Sequence, residues 1–178
     1  MNAHVRTMRA REQDWCLVAN QWGTRYSVRR AFAIASRLGD GVAWYTLMAA
    51  IILADGYEGL AAAAHMAVTA VVALLLYRCL KRYTRRPRPY ASDVRIQALV
   101  APLDEFSFPS GHTLHAVSFT CLAIAYYPLL AAVLIPFAAA VAISRVVLGL
   151  HYPSDVLAAT LIGGTLAASS LWAIGIPW

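Results

Sequence analysis

Residues 106–144 form a run of 39 positions without a single Asp, Glu, Lys or Arg. A membrane span needs about 20 apolar residues, within roughly 17–25, so this run is too long for one crossing and long enough for two. Tyr126-Tyr127-Pro128 interrupts it. Proline ends a helix and restricts the residue before it, which predicts spans over about 110–127 and 129–148. Residues 59–77 (19 positions) and 156–178 (23 positions) have the same character. Residues 41–54 supply 14 uncharged positions and reach span length only if counted from Leu38. The expected fold is therefore all-α, a polytopic transmembrane bundle of about five spans, forming one membrane-embedded domain over residues 1–178. Hydrophobic residues make up 60% of the chain and charged ones 13%, against about 45–50% and 25% in soluble domains. That composition excludes disorder. It also argues against a small water-soluble globule, which could not bury so much apolar side chain.

Residues 1–40 differ from the rest. They carry seven Arg together with Trp15, Trp22 and Tyr26, and no uncharged stretch of membrane length. The pattern suits an interfacial helical segment lying on the headgroups; a solvated basic tail is the alternative. A secretory signal is not expected, because the first residues lack its apolar centre. Cys16, Cys79 and Cys121 are odd in number and far apart, which gives no basis for a disulfide framework or a metal site.

The polar residues fall in three blocks. Lys81 to Pro89 follows the second span, Phe108-Pro109-Ser110-Gly111-His112 opens the third, and Ser144-Arg145 with His151 to Asp155 links the fourth to the fifth. Parity puts all three on one side of the membrane, so they can converge at one mouth of the bundle. Lys81, Arg88 and Arg145 are cations of the kind that clamp phosphoryl oxygens. Ser110 and Gly111 stand at a helix start, where free amides favour an anion and Gly permits close approach. His151 and Asp155 are four apart beside Pro153, which fits a first helical turn. A carboxylate beside a histidine follows the logic of an activated nucleophile and its orienter, and His112 is left as general acid.

Taken together, the spacings Lys-x6-Arg-Pro (Lys81, Arg88, Pro89), Pro-Ser-Gly-His (109–112) and Ser-Arg-x5-His-x3-Asp (Ser144, Arg145, His151, Asp155) resemble the type 2 phosphatidic acid phosphatase (PAP2) superfamily. The resemblance covers residues 81–155 and none of the first forty. It implies an integral membrane phosphatase with no metal and no cofactor. His151 would attack phosphorus to form a phosphohistidine, supported by Asp155, and His112 would protonate the leaving group and then activate water. Lys81, Arg88, Ser110, Gly111 and Arg145 would bind the phosphoryl group. The substrate expected is a lipid phosphate: a polyprenyl diphosphate first, or phosphatidate or phosphatidylglycerophosphate. The alternatives are a phosphatase or phosphotransferase for soluble phosphate esters, a vanadate-dependent haloperoxidase, and a non-catalytic lipid-binding or transport protein. Membrane lipids are expected partners and nucleic acid is not; the oligomeric state is open.

Other polar residues carry plainer expectations. Arg82, Arg85 and Arg86 would anchor anionic headgroups. Asp104 and Glu105 would form a solvated turn. His115 would be packed or hydrogen-bonded, His65 would make a contact between helices, and Gly163-Gly164 would allow close helix packing. A bacterial cytoplasmic membrane is the expected location. Its side is contested: the Arg-rich N-terminus points the site inward, whereas bacterial relatives commonly work on the outer face.

Overall fold

The computed structural model describes residues 3–176, with side chains from residue 10 onward. The described residues fold into helices with no strand among them, in the order α1 (Ala3–Gly23), α2 (Tyr26–Arg37), α3 (Ala43–Thr84), α4 (Pro89–Ser92), α5 (Gly111–Tyr126), α6 (Ala131–Val147) and α7 (Pro153–Ala173). A π-helical turn over Leu38–Val42 joins α2 to α3, and a 3-10 turn over Pro128–Leu130 leads into α6. Among the described residues, three stretches are long and apolar enough to cross a membrane: Tyr26–Ser92, Pro128–Val147 and Pro153–Ala173.

The first of these stretches is not straight. Gly56 has φ 55° and ψ −119°, a backbone that glycine adopts because it lacks a Cβ. A Cβ built on Gly59 would lie 2.3 Å from the Ile51 carbonyl oxygen. Along a straight helix those two residues would stand about 12 Å apart. Helix α3 is therefore a hairpin with arms over 43–55 and 57–84, which hold the first two expected spans. The 16 residues of α5 extend about 24 Å, the shortest of the long apolar helices, and α5 sits in the middle, packed against α3, α6 and α7. Its Phe119 stacks on Trp44 of α3 at 5.1 Å between ring centroids, within a core that includes Met66, Leu122, Leu134, Val141 and Leu171. Leu53, Val68, Leu75, Val133, Leu157 and Leu161 point outward and are exposed. A ring of aliphatic side chains facing out around a sealed core is what lipid solvent permits.

Small residues set the helix spacing. A Cβ on Gly163 would meet the Leu114 carbonyl oxygen at 2.7 Å, whereas one on Gly164 would meet nothing; only the first glycine has the expected packing role. Tyr127 donates to Asp55 at 2.8 Å, placing the Gly56 turn beside the α5–α6 link at one end of the bundle. His65 meets Tyr126 at 2.9 Å nearby, the interhelical contact expected of it.

Helix α1 is docked rather than loose, so the solvated-tail alternative does not hold. Cys16 and Asn20 are buried. Asn20 donates to the backbone oxygens of Gln97 (2.9 Å) and Val147 (3.2 Å) and accepts from the Gln97 amide (2.8 Å). A Cβ on Gly23 would lie 2.7 Å from the Val147 oxygen. Trp15, Trp22 and Tyr26 keep exposed faces. Met1, Asn2, Pro177 and Trp178, the extreme ends of the expected N-terminal segment and last span, lie outside the described residues. All three cysteines are free.

Candidate active site

The three polar blocks meet at the end of the bundle opposite Asp55. Arg85, with a left-handed φ of 45°, closes α3. Pro87 and Pro89 then each hold the preceding residue in extended backbone; Arg88 has φ −77° and ψ 157°. Residues two apart on extended chain share a side, so Arg86 and Arg88 both reach the α6–α7 link. Arg88 donates from NH1 to the Leu150 oxygen at 2.8 Å and lies 3.2 Å from His151 Nε2. Arg86 donates to Asp155 Oδ1 at 2.7 Å.

Ser110 is the N-cap of α5. Its buried hydroxyl lies 2.9 Å from Thr113 Oγ1 and accepts from the Thr113 amide at 3.4 Å. The hydroxyl is thus committed to the cap, while the first amides of a helix have no intrahelical acceptor. Gly111 and His112 face the cavity described below, and His112 Nε2 lies 3.4 Å from Asp40 Oδ1. His115, one turn on, donates from Nδ1 to the Gly111 oxygen (3.0 Å) and packs edge-on against Tyr77.

After α6 the chain turns at Gly149, whose φ is 76°, and delivers His151 to the site, 2% exposed. Pro153 opens α7, as expected, and Asp155 in its first turn accepts from the Tyr152 amide through Oδ2 at 2.9 Å. The same oxygen is 3.6 Å from His151 Nδ1, close enough to orient the ring and longer than a hydrogen bond. Burial pushes the His151 ring well below its ordinary value, and the nearby Arg145, Arg88 and Lys81 push it the same way. Both effects favour the neutral imidazole.

Lys81, Arg88, Gly111, His112, Arg145 and His151 line one cavity of about 790 Å³. It continues between the arms of α3 along Trp44, Met48, Ala70 and Leu74, and reaches the surface beside the exposed Tyr45, Ala67 and Val71. Asp155 stands behind His151, and Ser110 stands behind Gly111. Among the described residues, no group of three or more His, Cys, Asp or Glu side chains is placed to hold a metal.

Several residues that sequence reasoning assigned elsewhere also belong here. Arg86, expected at the headgroups, instead bridges Asp155 and Glu12, its NH2 donating to Glu12 Oε2 at 2.7 Å. Its guanidinium also stacks 4.1 Å over the Tyr152 ring. Glu12 in turn accepts from the Ser154 amide at 2.8 Å. Asp104, expected in a solvated turn, accepts from Lys81 and Arg88; the loop over 93–110 folds back across the end of α3 and brings it there. Ser36 accepts from Arg145 NH1. Glu12, Ser36 and Asp40 come from the first forty residues, and only tertiary contact reveals them.

The chain is similar to known proteins. A family model described as "PAP2 superfamily" matches residues 61–176. Over 72 residues the chain is 43% identical to phosphatidylglycerophosphatase B of Escherichia coli K12, covering 38% of this chain and 28% of that protein. Over 115 residues it is 36% identical to decaprenylphosphoryl-5-phosphoribose phosphatase of Mycobacterium tuberculosis, covering 62% and 58% respectively. The chain thus spans about a quarter to three-fifths of these relatives. Its fold matches the crystal structure of a transmembrane PAP2-type phosphatidylglycerolphosphate phosphatase from Bacillus subtilis with a TM-score of 0.76 at 22% identity, over 95% of this chain and 87% of that one. It matches Aquifex aeolicus LpxE with a TM-score of 0.74 at 22% identity, over 89% and 93%. The chain is an all-helical membrane protein and belongs to the PAP2 superfamily.

Proposed function

We propose that the protein is a membrane phosphatase that removes a phosphoryl group from a lipid phosphomonoester or diphosphate through a phosphohistidine. One observation carries the reading: Lys81, Arg88, Arg145, His112 and His151 share a cavity that runs on into an apolar channel between the arms of α3. The charged end suits phosphate and the apolar end suits a lipid chain. A soluble ester would have no use for the second half, and a binding protein would have no use for a nucleophile and an acid.

In the first step His151 Nε2 attacks phosphorus while Lys81, Arg88 and Arg145 hold the equatorial oxygens. The bond from phosphorus to the leaving oxygen breaks, and that oxygen takes a proton from His112. Asp155 steadies the imidazole from its Nδ1 side. In the second step His112 takes a proton from water, the water oxygen attacks phosphorus, and the N–P bond breaks. Inorganic phosphate leaves and His151 returns to its neutral form. The capped start of α5 supplies amides for the phosphoryl oxygens, with Ser110 acting through the cap and Gly111 at the cavity wall.

A polyprenyl diphosphate stands first among the substrates. The channel between the arms of α3 is lined by Trp44, Met48, Ala70, Val71 and Leu74, which suits a long isoprenoid chain. The named activities of the relatives, on phosphatidylglycerophosphate and a decaprenyl-linked phosphate, set the other members of the panel. Their bacterial sources favour the bacterial cytoplasmic membrane as the location. The test is phosphate release, with chelator present, from undecaprenyl diphosphate, phosphatidate, phosphatidylglycerophosphate and a soluble ester. Release from lipids that is lost in His151→Ala supports the reading. Full activity in His151→Ala, or release from the soluble ester alone, overturns it, and strong preference for a glycerolipid overturns the polyprenyl choice.

A further inference from the structure

Lys81 and Arg88 hold a carboxylate where the proposed reaction needs a phosphoryl group. Asp104 accepts from Lys81 Nζ through both oxygens at 2.7 Å, and from Arg88 NH2 through Oδ1 at 2.8 Å. Carboxylate and phosphoryl oxygens offer the same negatively charged acceptors to an ammonium and a guanidinium. Among the described residues, these two cations are the carboxylate's hydrogen-bond partners. The pair is lopsided: the Lys81 and Arg88 side chains are 7% and 1% exposed, against 40% for Asp104. The cations are buried, while the acid lies in the loop between the exposed Leu103 and Glu105, its backbone oxygen accepting from Arg88 Nε at 3.0 Å and its side chain half in solvent.

We infer that Asp104 is a built-in competitor for the phosphoryl site, which substrate must displace from Lys81 and Arg88 and which returns as inorganic phosphate leaves. The inference rests on the phosphoryl reading of the cavity and adds to it a residue that sets affinity. Cations gathered out of water are costly without a counter-charge, and a half-exposed carboxylate provides one that is cheap to remove. Burial pushes the Asp104 carboxyl upward, but Lys81 and Arg88 hold it below the usual carboxylate range, so the competitor is charged at neutral pH. Substrate and product both bind more weakly than they would to the bare cations. For the product this means faster release.

The alternative role is support, in which Asp104 merely keeps Lys81 and Arg88 in position. The two predict opposite signs. Equilibrium binding of radiolabelled inorganic phosphate is measured on the purified full chain and on Asp104→Asn, Asp104→Ser and Lys81→Ala. A competitor requires Asp104→Asn and Asp104→Ser to bind phosphate about three- to fivefold more tightly, the scale of a partly exposed ion pair, and Lys81→Ala to bind it more weakly. Unchanged or weaker binding in both Asp104 variants, with Lys81→Ala still weakened, overturns the competitor and leaves the phosphoryl site standing. Phosphate that binds none of the proteins, or binds without regard to Lys81, overturns the phosphoryl reading itself. Should both Asp104 variants fail to fold, a fluorophore on Glu105→Cys, with Cys79 replaced by Ser, reports the displacement with Asp104 in place. A saturable change on adding phosphate is expected, and a flat signal overturns the inference.

Discussion

Arg86 and Asp155 meet at 2.7 Å through Oδ1, the carboxylate oxygen that does not face His151. Asp155 is fully buried, and a buried charge stripped of its partner is strongly destabilising. Arg86→Ala is expected to lower kcat by at least about tenfold, leaving KM within about twofold, because it loosens the group behind the proposed nucleophile rather than the proposed phosphoryl site. Arg86→Lys should recover part of the loss. Glu12→Ala, which removes one of Arg86's further anchors and leaves Ser154 Oγ at 2.7 Å, should act in the same direction with a smaller effect. The double variant should fall short of the sum. Steady-state kinetics on the four proteins checks this, and a change confined to KM would refute it.

The contact of Glu12 with Arg86 and Ser154 also bears on topology. It holds α1 at the same end of the bundle as the site, which predicts that the two share one side of the membrane. Single cysteines at Asp14 and Val94, placed in a background without Cys79, should react with an impermeant reagent from one side of the membrane. A cysteine at Tyr57, 82% exposed beside the Gly56 turn, should react only from the other. Reaction of Asp14→Cys and Val94→Cys from opposite sides would contradict the docking of α1.

Stability should fall in mild acid because of His151. Its folded form resists protonation below the ordinary value of 6.5, whereas the unfolded chain takes up the proton there. The contribution is complete above 6.5 and is lost as the pH falls towards the lowered folded value, at up to about 1.4 kcal/mol per pH unit. Thermal unfolding in detergent at pH 7.5 and pH 5.5 should show a smaller drop for His151→Asn than for the native protein. Equal drops would remove His151 as the source.

Gly149 makes a sharper prediction about folding. With φ at 76°, a Cβ there would sit 2.4 Å from the Gln97 oxygen and 2.8 Å from Asn20 Nδ2. Gly149→Ala should therefore destabilise by about 2 kcal/mol or more and disturb the node that ties α1, the loop over 93–110 and the α6–α7 link together. Asn20→Ala should weaken the same node by about 1–3 kcal/mol, since it strands the buried Gln97 amide. Gly164→Ala, where a Cβ meets nothing, is the control expected to change little.

The sequence made one part of this arrangement readable and hid another. Lys81, His112, Arg145 and His151 stand out because a membrane chain tolerates few polar groups and keeps them where they are used. Counting spans then brings them to one end. The Gly56 turn could be read from Asp55 and Glu58, the only charges between two apolar runs. Arg86, by contrast, looks like any of its basic neighbours, and its partners Glu12 and Asp155 are 74 and 69 residues away. The inward face of α1, carrying Cys16 and Asn20, was obscured by surrounding arginines. Asp104 reads as a loop acid until the loop is seen to cross the cations. What the sequence conceals is which charge meets which, because the chain path alone sets those distances.

The gap between the arms of α3 has a kinetic consequence. On the lipid phosphatase reading, a substrate that enters beside Tyr45, Ala67 and Val71 would arrive by diffusion in the plane of the bilayer, and the concentration the protein responds to would be a mole fraction. Diluting the substrate with inert lipid would slow turnover at constant molarity, and adding more membrane of the same composition would not. A rate expressed per volume of solution would then describe the vesicles as much as the protein.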